Sequence, residues 1–417
     1  MINENLANKY FFLLIVLLPV SIIIGPAVSL FNILLFDFSF LLFILIKKEF
    51  KWINNFYVRL LLSLYLYLII NSFLSLDPNL NFLRNFGFLI LIIFFVGINY
   101  FFYKNPNFDK IFLILIIIIC IVSFDVFIEK IFGQNILGFH ANNLIESDRI
   151  VSFFIDDAIA GSFIYGFSFI IIGYYISKFK KFTNYKNLFY MILFISFLFV
   201  SIVITGERSN SIKFLISLIF FSILFEISIK KKFYLFISIA IFLLFAISSN
   251  DYLKGRFNAT TYAIHTYLDI FNDPYGKGRV NPYASLNRSG YEVFKKYPFF
   301  GVGNKNYRHE TCMKNSNRYY ICETHPHQIY FELLAEHGII GSIIILSIFF
   351  LIFFKNLFSI NKNREYISLG CLAYLVAVFF PMLPSGAFFN NYNLNIFFIN
   401  LSIMMACNKN MNIFNVK

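Results

Sequence analysis

Glu323-Thr324-His325-Pro326-His327-Gln328 sets two imidazoles two positions apart, at the head of an apolar run that continues to Gly338. Imidazole titrates near working pH, so His327 at such a junction suits a general base; it equally suits an exposed loop histidine. Thr324 can cap and Pro326 can occupy a first turn, which predicts a helix that His327 starts and Gly338 ends. A metal set of Glu323, His325 and His327 is the poorer reading, because His-Pro-His should splay the rings and no third strong ligand follows at helical spacing. Thr205-Gly206-Glu207-Arg208-Ser209-Asn210 precedes another apolar run. With Ser209 or Asn210 as cap, Arg208 stands beside free backbone N–H groups and a positive helix end, which together suit a phosphate. Lys213, one turn deeper, is costly in a membrane unless it is paired, snorkels to headgroups, or shares an anion with Arg208.

A third cationic position lies between these two. Ala284 to Tyr297 reads as an amphipathic helix stopped by Pro298, with Leu286, Gly290, Val293 and Tyr297 on one face and Arg288, Tyr291, Glu292 and Lys295 on the other. Such a helix is expected to lie on a membrane surface and offer Arg288 to a phosphate-level ligand; the alternative is a solvated helix charge. Pro298 to Gly303 then forms a tight connection. Cys312 and Cys322, ten positions apart in polar chain, can close a small ring in an oxidising compartment, or remain two free thiols. Cys120, Cys371 and Cys407 fall in apolar runs and read as small apolar residues.

What must position these groups is a membrane bundle. At 417 residues, 59% hydrophobic, 14% charged and mean hydropathy +0.71, the chain lacks the polar surface of a soluble protein. Runs of about 20 apolar residues recur twelve times, which predicts an all-α polytopic membrane protein of about twelve transmembrane helices. The pair divided only by Gly25-Pro26 is the closest spaced. Residues 1–249 carry spans one to nine, 250–328 one large polar loop, and 329–417 the last three spans. No internal repeat is visible, and the first run has no A-x-A-like site behind it, so it is expected to stay as a helix. Asp37, Asp125 and Glu226, in or near spans, are expected to pair within the bundle.

The net charge of +13 would suggest nucleic acid in a soluble protein, but topology absorbs much of it. About half of the 35 Lys and Arg gather in the loops of one face, as in Lys47-Lys48 and Lys230-Lys231-Lys232. Short loops of the other face hold only Arg84, Lys130, Arg149 and Arg208. The first face is therefore read as cytoplasmic, with both termini on it, and the polar loop as lying outside. That loop holds eleven Lys and Arg against six acids and four of the six His. Long loops escape the positive-inside rule, so its excess points to an anionic lipid-linked ligand or to membrane lipid headgroups, and no nucleic-acid partner is needed.

Taken together, the span layout, Thr-Gly-Glu-Arg208 opening a helix, Arg288 upstream of Pro298 to Gly303, and Thr-His-Pro-His327-Gln-x7-Glu336-His-Gly338-x2-Gly341 resemble the O-antigen ligase and O-antigen polymerase superfamily. Span layout is similar over nearly the whole chain; residue matches are confined to 205–213 and 288–341, within a related region of about 190–350. The resemblance implies a GT-C-like fold with a periplasmic loop domain in the bacterial inner membrane. It implies a metal-independent, inverting glycosyl transfer without cofactor, from an undecaprenyl-diphosphate-linked glycan. The acceptor would be a sugar hydroxyl of lipid A-core in a ligase, or a lipid-linked repeat unit in a polymerase, in lipopolysaccharide or surface polysaccharide biosynthesis. His327 takes the position of the family's base, Arg208 and Arg288 those of diphosphate ligands with Lys213 beside them, and His325, Gln328 and Glu336 support the site. Gln328 stands where Asn is commoner, and Arg288 to Gly301 is not the R-x10-G spacing of polymerases. A flippase for the same lipid-linked sugars is the rival class. It would need charge along a central cavity, whereas here charge gathers at one face.

Overall fold

Apolar runs separated by Lys-rich turns become helices that pack side by side. The computed structural model describes residues 4–105, 108–140, 149–155, 157–178, 185–248, 251–267, 282–313 and 317–415, without the side chains of 260–267. In chain order the helices are α1 (Glu4–Ile24), α2 (Pro26–Lys47), α3 (Phe56–Phe73), α4 (Pro78–Lys104), α5 (Asp109–Phe132), α6 (Ala160–Lys178), α7 (Tyr185–Ile204), α8 (Arg208–Leu224), α9 (Ile229–Ser248), α10 (Asp251–Tyr267), α11 (Pro282–Lys296), α12 (Tyr307–Thr311), α13 (Ile329–Asn363), α14 (Tyr366–Val378) and α15 (Asn391–Cys407), with a short 3-10 turn at Lys51–Asn54. No strand occurs among the described residues. Gly25, at φ 145°, and Pro26 in the first turn of α2 make the break between the first two helices, which then pack on each other.

Each of the twelve expected spans contains a helix, but among the described residues nine are long and apolar enough to cross a membrane: α1 to α7, α9 and α13. At 17, 13 and 17 residues, α8, α14 and α15 are shorter. A rise of 1.5 Å per residue gives them about 20–25 Å, less than the hydrocarbon core. Pro381 helps explain why the eleventh span ends early, at Val378. These short helices fill the centre. From Leu394 to Cys407 every residue of α15 is buried, as expected of a helix apolar on all sides, and α14 packs against α6, α8 and α15. The central helix α6 is 83% buried, whereas α9 is 17% buried and lies at the margin.

Charges at one set of helix ends pair with each other. Lys47 meets Glu4, Lys178 meets Asp109, and Arg364 meets Glu226 at 2.6 Å. Asp125 pairs with a loop rather than a helix, accepting the Ile136 N–H at 2.9 Å and the Ser152 hydroxyl at 2.6 Å. Asp37 departs from expectation: buried in α2, it has no hydrogen-bond partner at either oxygen among the described residues.

The polar segment after α9 is not a separate body, because α10 packs on α8 and α9 and α11 packs on α13. Charges at Asp269, Asp273, Lys277, Arg279 and Lys314 lie outside the described residues. Gly338 breaks α13 with φ 63° and ψ −168°. The turn after Pro298 fills that break: Ile339 and Ile340 N–H donate to the Pro298 and Phe299 carbonyls at 2.8 and 3.2 Å. In return, Val302 and Gly303 N–H donate to the Ala335 and Glu336 carbonyls, both at 2.9 Å. Interrupted helical bonds are thus replaced rather than lost. A Cβ at Gly338 would run into the Phe299 carbonyl, and one at Gly301 into the Glu336 backbone.

Candidate active site

The helix bearing the histidine motif begins two residues later than the sequence suggests. Gln328, not Thr324, is the N-cap of α13, its side-chain oxygen accepting the Phe331 N–H at 3.0 Å. His327 therefore precedes the helix, and at φ 57° it occupies the left-handed region that a non-glycine residue enters at some cost. Thr324 instead bonds His325 Nδ1 at 2.9 Å. The rings of His325 and His327 are not splayed, because the positive φ folds the chain back and brings their centroids to 4.0 Å. Both nitrogens of His325 are engaged, Nε2 by the Ser385 carbonyl at 3.2 Å, which leaves it no lone pair for a metal. No cluster of three or more His, Cys, Asp or Glu side chains able to hold a metal occurs among the described residues.

Burial holds the His327 imidazole below its usual pKa, opposed in part by nearby Glu323. His325 is pushed down to about 4, mainly by burial and then by His327. Both rings are thus neutral at pH 7, and half-buried His327 has the lone pair a base requires.

Residues 379–390, between α14 and α15, latch this motif, and sequence reasoning missed them. Ser385 N–H donates to the His327 carbonyl at 2.9 Å, Phe388 N–H to the Glu332 carboxylate at 2.9 Å, and Tyr330 OH to the Phe379 carbonyl at 2.6 Å. Arg84 of α4 donates to the Phe389 carbonyl at 2.5 Å. The visible signal was Pro381-Met382-Leu383-Pro384-Ser385-Gly386, a turn-forming break ahead of a final span. Glu336, buried, accepts backbone N–H groups of Lys305 and Tyr307, so it fastens the turn after α11 to α13.

The sequence placed α11 on a membrane surface, but its apolar face packs on protein. Leu286, Gly290 and Val293 are buried against α13 and its surroundings, and Gly290 admits Pro326 so closely that a Cβ there would touch it. Tyr283 of the same helix reaches the His327 ring at a centroid distance of 6.2 Å. Arg288 projects from another side, its guanidinium 4.0 Å from the Tyr319 ring centroid. Tyr319 belongs to the segment closed by the Cys312–Cys322 disulfide.

Arg208 is the first residue of α8, and neither Ser209 nor Asn210 caps it: Glu207 is the N-cap residue, without a side-chain cap bond. Asn210 instead donates to the Glu207 carboxylate, which also accepts the Gly161 N–H at 2.8 Å. Burial raises the Glu207 pKa, opposed first by Arg149. Arg208 donates to the Arg256 carbonyl at 2.9 Å, and Arg256 returns a bond to the Gly206 carbonyl at 3.3 Å. Lys213 is buried with Glu207 as a counter-charge, so its burial does not require an anion.

Histidine and Arg208 sides are joined through α15. Tyr392 lies beside Ser162 and Glu207, and Ser385, which holds both histidines, is seven residues earlier. Seven residues span at most about 25 Å. No curated protein matches this chain. Residues 191–346 match the family described as O-antigen ligase, a span that contains Arg208, Lys213, Arg288, His325, His327, Gln328 and Glu336. This match, over the segment that carries His327 and the three cations, supports placing the protein in the O-antigen ligase and polymerase superfamily.

Proposed function

We propose that the protein is an inverting, metal-independent glycosyltransferase of the bacterial inner membrane, with twelve crossings in a GT-C-like arrangement, both termini cytoplasmic and the site at the periplasmic face. The observation that carries this reading is a neutral, half-buried His327 set by main-chain bonds, inside the family-matched segment and beside the helix that bears Arg288. His327 takes the proton of a sugar hydroxyl on the acceptor as that oxygen attacks the anomeric carbon of an undecaprenyl-diphosphate-linked glycan. The bond from that carbon to the diphosphate oxygen breaks, and its electron pair leaves with the diphosphate. Arg208 and Arg288, with Lys213 nearby, stabilise the charge that develops there. His325, Gln328 and Glu336 support the base through the ring contact, the helix cap and the fastened turn.

Lipid A-core is the proposed acceptor, as in the ligases; a lipid-linked repeat unit, as in the polymerases, is the alternative. Purified protein given lipid-linked glycan, with and without lipid A-core and in the presence of a chelator, tests both. Transfer to the core makes it a ligase, longer lipid-linked chains make it a polymerase, and movement of the lipid across vesicles without transfer makes it a flippase.

A further inference from the structure

Three ties hold the chain around Tyr319 against α11 and the short helix α12. Cys322 is bonded to Cys312. Ile321 N–H donates at 3.0 Å to the hydroxyl of Ser289, the residue after Arg288, and that hydroxyl also accepts the Tyr307 OH at 2.6 Å. Tyr320 OH donates at 3.1 Å to Glu310, whose carboxylate also takes Lys296 Nζ at 2.7 Å and the Tyr297 OH at 3.2 Å. With Tyr320 and Ile321 fixed, the Tyr319 ring lies 4.0 Å from the Arg288 guanidinium. Arg318 approaches the same ring at 4.7 Å and donates to its hydroxyl at 2.7 Å. One aromatic ring thus carries two guanidinium groups.

A cation held on an aromatic face loses side-chain freedom. We propose that Tyr319 is a positioning residue for Arg288, that Arg318 adds a second cation to the same anion subsite, and that the Cys312–Cys322 disulfide keeps this shelf in place. The ligand is a diphosphate, and the inference rests on the reading of Arg288 as a diphosphate ligand. The shelf is built from the loop, so the donor's charged group meets one arginine set by the bundle and another set by a cross-linked segment.

Binding of undecaprenyl diphosphate to the purified full-length protein tests it without needing turnover. Tyr319→Leu should raise Kd by roughly 3- to 30-fold, the scale of one cation–aromatic contact. Tyr319→Phe, which keeps the ring, should recover most of that loss. In an Arg288→Ala, Arg318→Ala background, Tyr319→Leu should add less than about 2-fold, because neither cation on the ring is left to position. Dithiothreitol should weaken binding by the wild type and by Tyr319→Phe, and leave Tyr319→Leu where it is. An additive loss from Tyr319→Leu in that background, or a Tyr319→Leu protein that binds normally, overturns the inference. Should the wild type bind with this Tyr319 dependence yet transfer no glycan, the shelf stands and the transferase reading falls.

Discussion

Arg208 and Arg288 are held by different materials. Arg208 begins a membrane helix, and its guanidinium is bonded to the main chain of α10, so its place follows from how bundle helices pack. Arg288 and the histidines depend on polar chain: a disulfide ring, a turn lodged in a helix break, and the 379–390 latch. The contrast teaches that one side of the site is specified by apolar packing, which tolerates much sequence drift. The other is specified by individual hydrogen bonds, and a single substitution can undo it.

Gly338→Val should break the loop-built side most completely. Its φ of 63° and the Phe299 carbonyl leave no room for a side chain, so the strain of roughly 1–3 kcal/mol adds to a direct clash. Helix content by circular dichroism should stay near wild type while protease cuts within 298–328. His327→Ala comes next, lowering transfer about 100- to 10,000-fold with normal protein level and donor binding. Full activity would remove His327 from the chemistry.

Arg208→Ala and Arg288→Ala should each weaken donor use by about 10- to 100-fold, on the scale of a charge-assisted bond, against little change for Lys296→Ala. Lys296 is largely exposed and faces Glu310, so equal losses at all three would reduce the comparison to diffuse electrostatics. Acid should act on the histidine side. His325 has a folded pKa of about 4 against 6.5 unfolded, so the unfolded chain binds the extra proton between those values and stability falls with pH there, by roughly 3 kcal/mol at the lower limit. Transfer should also fall in acid, with a midpoint below that of free imidazole, since His327 shifts the same way. Thermal midpoints and rates from pH 4 to 8 check both signs. The smallest effect is expected at Ser385→Ala, within about 2-fold in rate, because its backbone rather than its hydroxyl holds the histidines; Ser385→Pro, which deletes the N–H bonded to the His327 carbonyl, should cost far more.

Legibility followed the same division. Hydropathy located the long apolar helices, nine of which among the described residues can cross a membrane, and Gly25-Pro26 and Gly338 were readable as breaks because backbone geometry at those positions is local. Hidden was Gln328 as the cap, since glutamine is not among the residues favoured there; hidden too were the turn that fills the Gly338 break and residues 379–390, which are held mostly by main-chain groups bonded to segments far apart in sequence. Tyr319 was invisible for another reason: a tyrosine beside an arginine is common in this Tyr-rich loop, and only the fold shows which pair meets. The stacking of His325 on His327 was misjudged because a positive φ at a histidine cannot be inferred from its type.

The break in α13 also works as a depth gauge. Between Ile329 and Gly338 no residue is exposed, whereas immediately below it Ile339, Ile340 and Ile343 are bare, at 42%, 38% and 57%, with Phe299 and Phe300 alongside. Oily surface therefore starts at Gly338, and ten residues of helical rise set His327 about 15 Å above it. On the proposed reading, a polyprenyl tail lies against the bare lower half while its sugar is presented at that fixed height. On that reading, lengthening the upper half of α13 by one turn lifts His327 away from a substrate whose anchor stays where it is.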